Sequence, residues 1–246
     1  MKAVILAGGQ GRRLLPYTTV FPKPLVPIGD RPVVDLIVRQ LVHAGIHEII
    51  LSIGHLGELI EAYFQNGRRQ IGILQLSYYR ESKPLGTAGP LALIPGLNET
   101  FLAMNGDVLS DLSYHDMVAW HRQQKADLTI AVKTRRYELE YGTLRFGKDG
   151  VVTDYLEKPA HEVQVSMGIY VYEPSVLEWI PAGEYLDFPE LVMRLIQRGR
   201  RVVAYENNAF WLDIGRREDY EMAQSEYEKR KEEFLGGSLE TATGQD

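Results

Sequence analysis

Residues Ala3 to Ala7 form a wholly apolar run closed by Gly8 and Gly9. So short a run, apolar at every position, reads as a strand buried on both faces, as in a parallel sheet. A helical period follows over Pro32 to Ala44. Val33, Ile37 and Leu41 share a face with Val34 and Val38 beside them, Pro32 suits the first turn, and Gly45 ends the run. Ile49 to Ile53 predicts a strand, Glu58 to Phe64 a helix and Ile71 to Tyr78 a strand. Phe101 to Met104 predicts another strand, which delivers Asn105-Gly106-Asp107 at its end. Ser113 opens a helix with Asp116 three residues on, a capping-box-like start. Strands and helices therefore alternate, the pattern of an α/β sheet covered by helices on both faces.

The second half changes character. Leu128 to Lys133, Gly168 to Tyr172 and Arg201 to Tyr205 read as strands, and Gly147-Lys148-Asp149-Gly150 between apolar runs in Tyr141 to Leu156 reads as a hairpin. Pro189 to Gln197 and the charged stretch Glu218 to Glu233 read as helices. No internal repeat is visible. The expected organisation is a single domain over residues 1–235, with halves meeting near residue 112, and a flexible tail over 236–246.

Composition narrows the function. The net charge of −6 argues against a nucleic-acid-binding surface, which needs a basic footprint. The absence of cysteine excludes disulfides and thiolate-bound metals, and the six histidines show no ligand spacing. No apolar run approaches the roughly 20 residues of a membrane span, so no membrane partner and a cytoplasmic location are expected. The sequence leaves homo-oligomerisation open.

The chemistry concentrates first in Leu6-Ala7-Gly8-Gly9-Gln10-Gly11-Arg12-Arg13-Leu14-Leu15-Pro16. Glycines directly after a buried strand let backbone N–H groups approach an anion, and Arg12 and Arg13 add fixed positive charge. The dinucleotide pattern G-x-G-x-x-G fails at Leu14, and G-x-x-x-x-G-K-[ST] does not occur. Pro16, Pro22, Pro24 and Pro27 keep the segment from becoming a helix. Pro22 and Pro24 fix the projection of Lys23, a point charge suited to phosphate oxygens.

Gly8-Gly9-x-Gly11-x-Arg13-Leu14-x-Pro16 followed by Pro22-Lys23-Pro24-Leu25-x-Pro27 resembles the signature of the sugar-phosphate nucleotidylyltransferases. The resemblance continues, in family order, through Pro84-Leu85-Gly86-Thr87-Ala88-Gly89, Asn105-Gly106-Asp107, Glu157-Lys158-Pro159 and Trp211-Leu212-Asp213-Ile214-Gly215. It implies a Rossmann-like α/β fold with a mixed, mostly parallel sheet. The implied reaction is in-line attack of a sugar 1-phosphate on the α-phosphorus of a nucleoside triphosphate, with Mg2+ required and no covalent enzyme intermediate.

The resemblance also distributes roles. Asp107 and Asp213, each expected at a strand end, are the implied metal ligands; Mg2+ commonly takes one or two carboxylates plus phosphates and water. Arg13 and Lys23 are the expected catalytic cations. Leu6, Ala7, Gly8, Gly9, Gly11 and Arg12 cradle the nucleotide, and Gly86 and Thr87 lie against the base with a helix from Ala88 to Ile94 behind them. For the sugar phosphate, Lys158 is the expected phosphate ligand and Glu157 a partner for hydroxyls. Gly142 leaves room for a ring, with Asn105 and Met167 as further contacts. The Pro84 to Leu91 block looks most like guanylyltransferases acting on mannose- or heptose-type 1-phosphates, while the compact length also fits uridylyl-, thymidylyl- and cytidylyltransferases. Two other classes compete. A glycosyltransferase should carry a D-x-D pair, which Asp107 and Asp111 do not form; a nucleotide-sugar-sensing subunit should have lost some of Arg13, Lys23, Asp107 and Asp213, and all four are present.

Overall fold

The computed structural model describes residues 1–9, 11, 17–67, 75–215 and 217–234. Arg12 and Arg13, the first part of the Ile71 to Tyr78 strand and the 236–246 tail lie outside them. Seven strands form the main sheet: β1 (Lys2–Ala7), β4 (Glu48–Ile53), β5 (Gln75–Arg80), β6 (Phe101–Asn105), β8 (Leu128–Glu138), β11 (Ala160–Tyr172) and β12 (Val202–Glu206). Their spatial order is β12-β8-β11-β6-β1-β4-β5. β1 pairs in parallel with β4 and β6, β4 with β5, and β12 with β8. Only β11 runs against its neighbours, antiparallel to both β6 and β8. This is the mixed, mostly parallel α/β sheet expected from the sequence.

Side chains alternate across β1 as the two-residue strand period requires. Ala3, Ile5 and Ala7 enter one core and Val4 enters the other. The first core takes helices α1 (Val33–His43), α2 (Gly57–Gly67) and α3 (Tyr114–Gln124), together with α5 (Arg217–Phe234), through Leu36, Phe64, Met117 and Tyr227. The second takes α4 (Phe188–Gln197) and a 3-10 turn, Gly89–Leu93, through Leu191 and Leu91. The Ala88 to Ile94 helix expected from the resemblance is thus only that short 3-10 turn, with Pro90 near its start. Ser113 caps α3 by accepting from the Asp116 backbone N–H, as its sequence position predicts. Among the described residues no helix is long and apolar enough to cross a membrane.

Among the described residues, three small ribbons stand outside the main sheet. β2 (Pro27–Ile28) pairs with β3 (Arg31–Pro32), and β7 (Val108–Ser110) with β13 (Trp211–Asp213). β9 (Thr143–Phe146) and β10 (Val152–Leu156) form the expected hairpin. β8 and β11 extend well past their expected ends, as an exposed two-stranded arm that carries this hairpin.

Candidate active site

The site begins at the C-terminal end of β1. Leu6 pairs with Asn105 of β6, and the Leu6 carbonyl accepts from the Gly106 N–H at 2.9 Å. That bond turns the chain after β6 and places Asp107 beside the glycine loop. A Cβ on Gly106 would lie 3.0 Å from the Leu6 carbonyl oxygen and 3.3 Å from Pro24, so glycine permits the Pro22–Lys23–Pro24 segment to close over the turn. The β7/β13 ribbon then brings in the second carboxylate. Asp213 stands opposite Val108, and the Ile214 N–H donates to the Asp107 carbonyl at 3.0 Å. Residues 106 positions apart in sequence thereby share one site.

Lys23 opens a 3-10 turn, Lys23–Leu25, closed by the Val26 N–H on the Lys23 carbonyl at 3.0 Å. Its ammonium pairs with Asp107 Oδ2 and lies 3.6 Å from Asp213 Oδ1. Gly11, at φ +60°, packs on the Lys23 stem, and its carbonyl accepts from Thr18 Oγ1 at 2.9 Å. The side chains of Lys23, Asp107 and Asp213 are 11%, 20% and 40% exposed, so the cluster opens to solvent on the Asp213 side. Desolvation pushes the Asp107 carboxyl above its ordinary range; Lys23 opposes that shift and the Asp213 charge adds to it. Among the described residues, Asp107 Oδ1 and Asp213 Oδ1 are both buried without a hydrogen-bond partner. Two such carboxylate oxygens, one of them 3.6 Å from the Lys23 ammonium, fit a hard divalent cation completed by phosphate and water oxygens. Among the described residues no group of three or more His, Cys, Asp or Glu side chains forms a metal cage.

The Gly86–Gly89 turn, where Gly86 and Thr87 are expected to lie against a base, is bonded to the segment before α4. Ala88 and Gly89 N–H both donate to the Leu186 carbonyl, at 3.0 and 3.1 Å, and Thr87 N–H donates to Asp187 Oδ1 at 3.1 Å. The Thr87 hydroxyl donates to Asp187 Oδ1 at 3.3 Å and accepts from Phe188 N–H at 2.8 Å. Gly86, at φ +80°, lets the turn press on Leu186, whose carbonyl oxygen would be 2.5 Å from a Cβ. The turn is a clasp on the start of α4.

Glu81, which sequence reasoning did not single out, occupies the position facing the glycine loop. A Cβ on Gly8 would lie 2.4 Å from Glu81 Oε1. The carboxyl accepts from Ser52 Oγ at 3.1 Å and Leu85 N–H at 3.4 Å, and desolvation pushes it above its ordinary range. Its one sequence signal is a place between β5 and Gly86, where nothing periodic marks it.

On the arm, Gly142, Tyr155 and Glu157 come together. Tyr155 donates to Glu157 Oε2 at 2.8 Å, and a Cβ on Gly142 would lie 2.1 Å from the Tyr155 hydroxyl. The room expected over Gly142 is therefore filled by these side chains. Lys158 is exposed and holds φ +44°, a left-handed conformation uncommon outside glycine and asparagine. Asn105 lies against Gly168, itself at φ +73° in an irregularity of the β8/β11 ladder. The Met167 side chain is fully buried in the core, and its carbonyl accepts from Trp211 Nε1 at 2.7 Å. His121 is likewise a core residue, between Thr129 Oγ1 and Glu173 Oε1.

Residues 2–230 match the family model described as nucleotidyl transferase, and the chain belongs to that family. It is 36% identical over 240 residues to a UTP–glucose-1-phosphate uridylyltransferase of Synechocystis sp., covering 89% of this chain and 61% of that protein. It is 34% identical over 227 residues to mannose-1-phosphate guanyltransferase beta-A of Xenopus laevis, covering 89% and 62%. The chain thus spans about three fifths of these curated relatives. Among solved structures, HddC from Yersinia pseudotuberculosis complexed with GMP-PN superposes with a TM-score of 0.71 at 27% identity, covering 92% of this chain and 99% of that one.

Proposed function

We propose that the chain transfers a nucleotidyl group from a nucleoside triphosphate to a sugar 1-phosphate, releasing pyrophosphate, with GTP and a mannose- or heptose-type 1-phosphate as the pair. The observation that carries the reaction class is the convergence of Lys23, Asp107 and Asp213 beside the glycine loop. Two anions must meet and charge must grow on the transferred phosphoryl group, so positioning and charge stabilisation are what the site has to supply. The Lys23 ammonium compensates two carboxylates in the free protein, and a triphosphate laid over Gly8 to Gly11 meets it directly. Asp107 and Asp213 would hold Mg2+. Bound there, the ion supplies Lewis-acid stabilisation of phosphoryl oxygens. On the arm, Lys158 offers a cation for the sugar phosphate and Glu157 an acceptor for hydroxyls.

Glu81 supports the base assignment. Guanine presents N1–H and N2–H2 side by side, two donors for one carboxylate. Uracil and thymine present a single N3–H flanked by carbonyl oxygens that a carboxylate repels. A desolvated carboxylate regains most from a ligand that fills both its oxygens. The uridylyltransferase relative keeps UTP with glucose 1-phosphate as a second reading. The test is pyrophosphate release from GTP, UTP, dTTP and CTP at equal sub-saturating concentration, each with mannose, heptose, glucose and N-acetylmuramate 1-phosphates. GTP should give the highest kcat/KM with its best sugar. A pyrimidine triphosphate in first place would overturn the base assignment, and no release from any pair would overturn the reaction class.

A further inference from the structure

Helix α5 touches both sides of the Lys23–Asp107–Asp213 cluster without reaching it. Gln224, Tyr227 and Arg230 are spaced by three, so they line one stripe of the helix. Gln224 grips the segment that follows Lys23. Its Nε2 donates to the Pro27 carbonyl at 2.8 Å and to Tyr220 Oη at 2.7 Å, and its Oε1 accepts from the Gly29 N–H at 2.8 Å. Tyr227 is buried against Gly29, where a Cβ would come within 2.4 Å of its ring, and its hydroxyl donates to Asp30 Oδ1 at 3.1 Å.

Arg230 grips the other side. Its guanidinium pairs with Asp111 Oδ2 and lies 5.1 Å over Phe210 and 5.5 Å over Phe234. Asp111 Oδ1 in turn accepts from the Phe210 N–H at 2.7 Å. Asp111 directly follows β7 and Phe210 directly precedes β13, so this knot closes the ribbon that carries Asp107 and Asp213. Arg230 holds non-helical angles, φ −128° and ψ 25°, inside the helix, a departure that the Asp111 contact accompanies.

We propose that α5 is a brace that sets the spacing between Lys23 and the two carboxylates, with Gln224 and Arg230 as positioning residues. The proposal rests on the reading of that cluster as the reacting centre. The need is physical: lysine reaches its partners through a flexible four-carbon stem, so its backbone must be fixed if the ammonium is to stay in place. A displacement of about 1 Å in such a site can cost 100-fold in rate. Two separate segments, one bearing the cation and one bearing the anions, are tied to the same helix, the second at the residue where it kinks.

The test uses the full chain in three forms: Gln224→Glu, isosteric but with an acceptor facing the Pro27 carbonyl; Arg230→Met, which keeps an apolar stem near Phe210; and Met222→Ala on the exposed side of α5 as a control. Trace acetylation with acetic anhydride, read by peptide mass spectrometry, reports how well Lys23 is held. Lys23 labelling should rise at least fivefold in the first two variants while the exposed Lys83 and Lys148 label at wild-type rates. In the pyrophosphate-release assay below the unfolding range, kcat should fall at least tenfold with both KM values within threefold. Met222→Ala should match wild type in both. Unchanged Lys23 labelling in both variants overturns the brace, as does raised labelling with wild-type kcat, or labelling that rises equally at all three lysines. A wild type that releases no pyrophosphate overturns the reaction assigned above, and the labelling ratio still decides the brace.

Discussion

Replacing Lys23 with methionine tests the electrostatics of the site most directly. The substitution keeps the stem and removes the charge that Asp107 and Asp213 share. Removing one partner of a buried ion pair typically costs 3–5 kcal/mol. Here the carboxylates keep 20% and 40% of their surface, so solvent screening brings the expected loss to about 2 kcal/mol at pH 8. For a chain of this size that is roughly 4–8 °C in Tm. The pH dependence has a definite sign. Asp107 already titrates above its ordinary range through desolvation, with Lys23 opposing the rise. Without Lys23 the shift grows. A carboxyl raised in the folded state leaves stability intact below its unfolded pKa and lowers it as pH climbs through the folded value. The deficit relative to wild type should therefore be small near pH 4 and largest at pH 8. Mg2+ should reverse it, by about 1.4 kcal/mol at ten times its Kd, and should shift the variant more than wild type, where Lys23 competes for the same oxygens. Thermal unfolding across pH, with and without Mg2+, measures all three. A variant as stable as wild type at pH 8 without Mg2+, or a deficit that widens toward acid, would refute the reasoning.

Three further outcomes follow from the same geometry. Asp107→Asn and Asp213→Asn should each lower kcat by roughly 100- to 1000-fold while the protein stays folded, since one such contact is worth about 3–4 kcal/mol in a transition state; near-wild-type rates at limiting Mg2+ would remove that residue from the metal site. Lys158→Ala should chiefly raise KM for the sugar phosphate, because it removes binding present before the transition state, and an effect confined to the nucleotide would reverse the assignment of the two halves. Glu81→Gln should narrow the GTP-to-UTP ratio of kcat/KM by roughly 10- to 100-fold, the worth of one charged hydrogen bond; an unchanged ratio would move base selection elsewhere.

Much of the frame could be read from the chain because it is local. The run Ala3 to Ala7 is apolar at every position and lies inside the sheet, between β6 and β4. Asp107 and Asp213 follow short apolar runs and do stand at strand ends. The outer half of β11 was not legible. Residues 160–166 are exposed or nearly so and carry no period that burial could impose; they are strand because they pair residue by residue with β8 from Glu138 to Val132. The direction of β11 is equally invisible in its composition. The Thr87 clasp was not legible for a different reason: its partner, Asp187, is 100 residues away and looks locally like the cap of α4. Glu81 is a single charged residue between elements, and only the pairing of β5 on β4 and of β4 on β1 puts it over Gly8.

The reversed strand has a consequence for how the chain is made. β11 is the wedge between β6 and β8, and both of those precede it in sequence. On the ribosome, therefore, two pieces exist first: the sheet β5-β4-β1-β6, with β6 as a bare edge of unpaired N–H and C=O groups, and the lone strand β8, whose other neighbour β12 is made after β11. Such edges recruit strands from other chains. The two pieces can join only when residues 160–172 have emerged, and the pairing is long-range and slow to close. The interval between the synthesis of β8 and the insertion of β11 is then the period of greatest exposure to misassembly, and slowing translation just upstream of residue 160 should lower the soluble yield more than slowing it after residue 172.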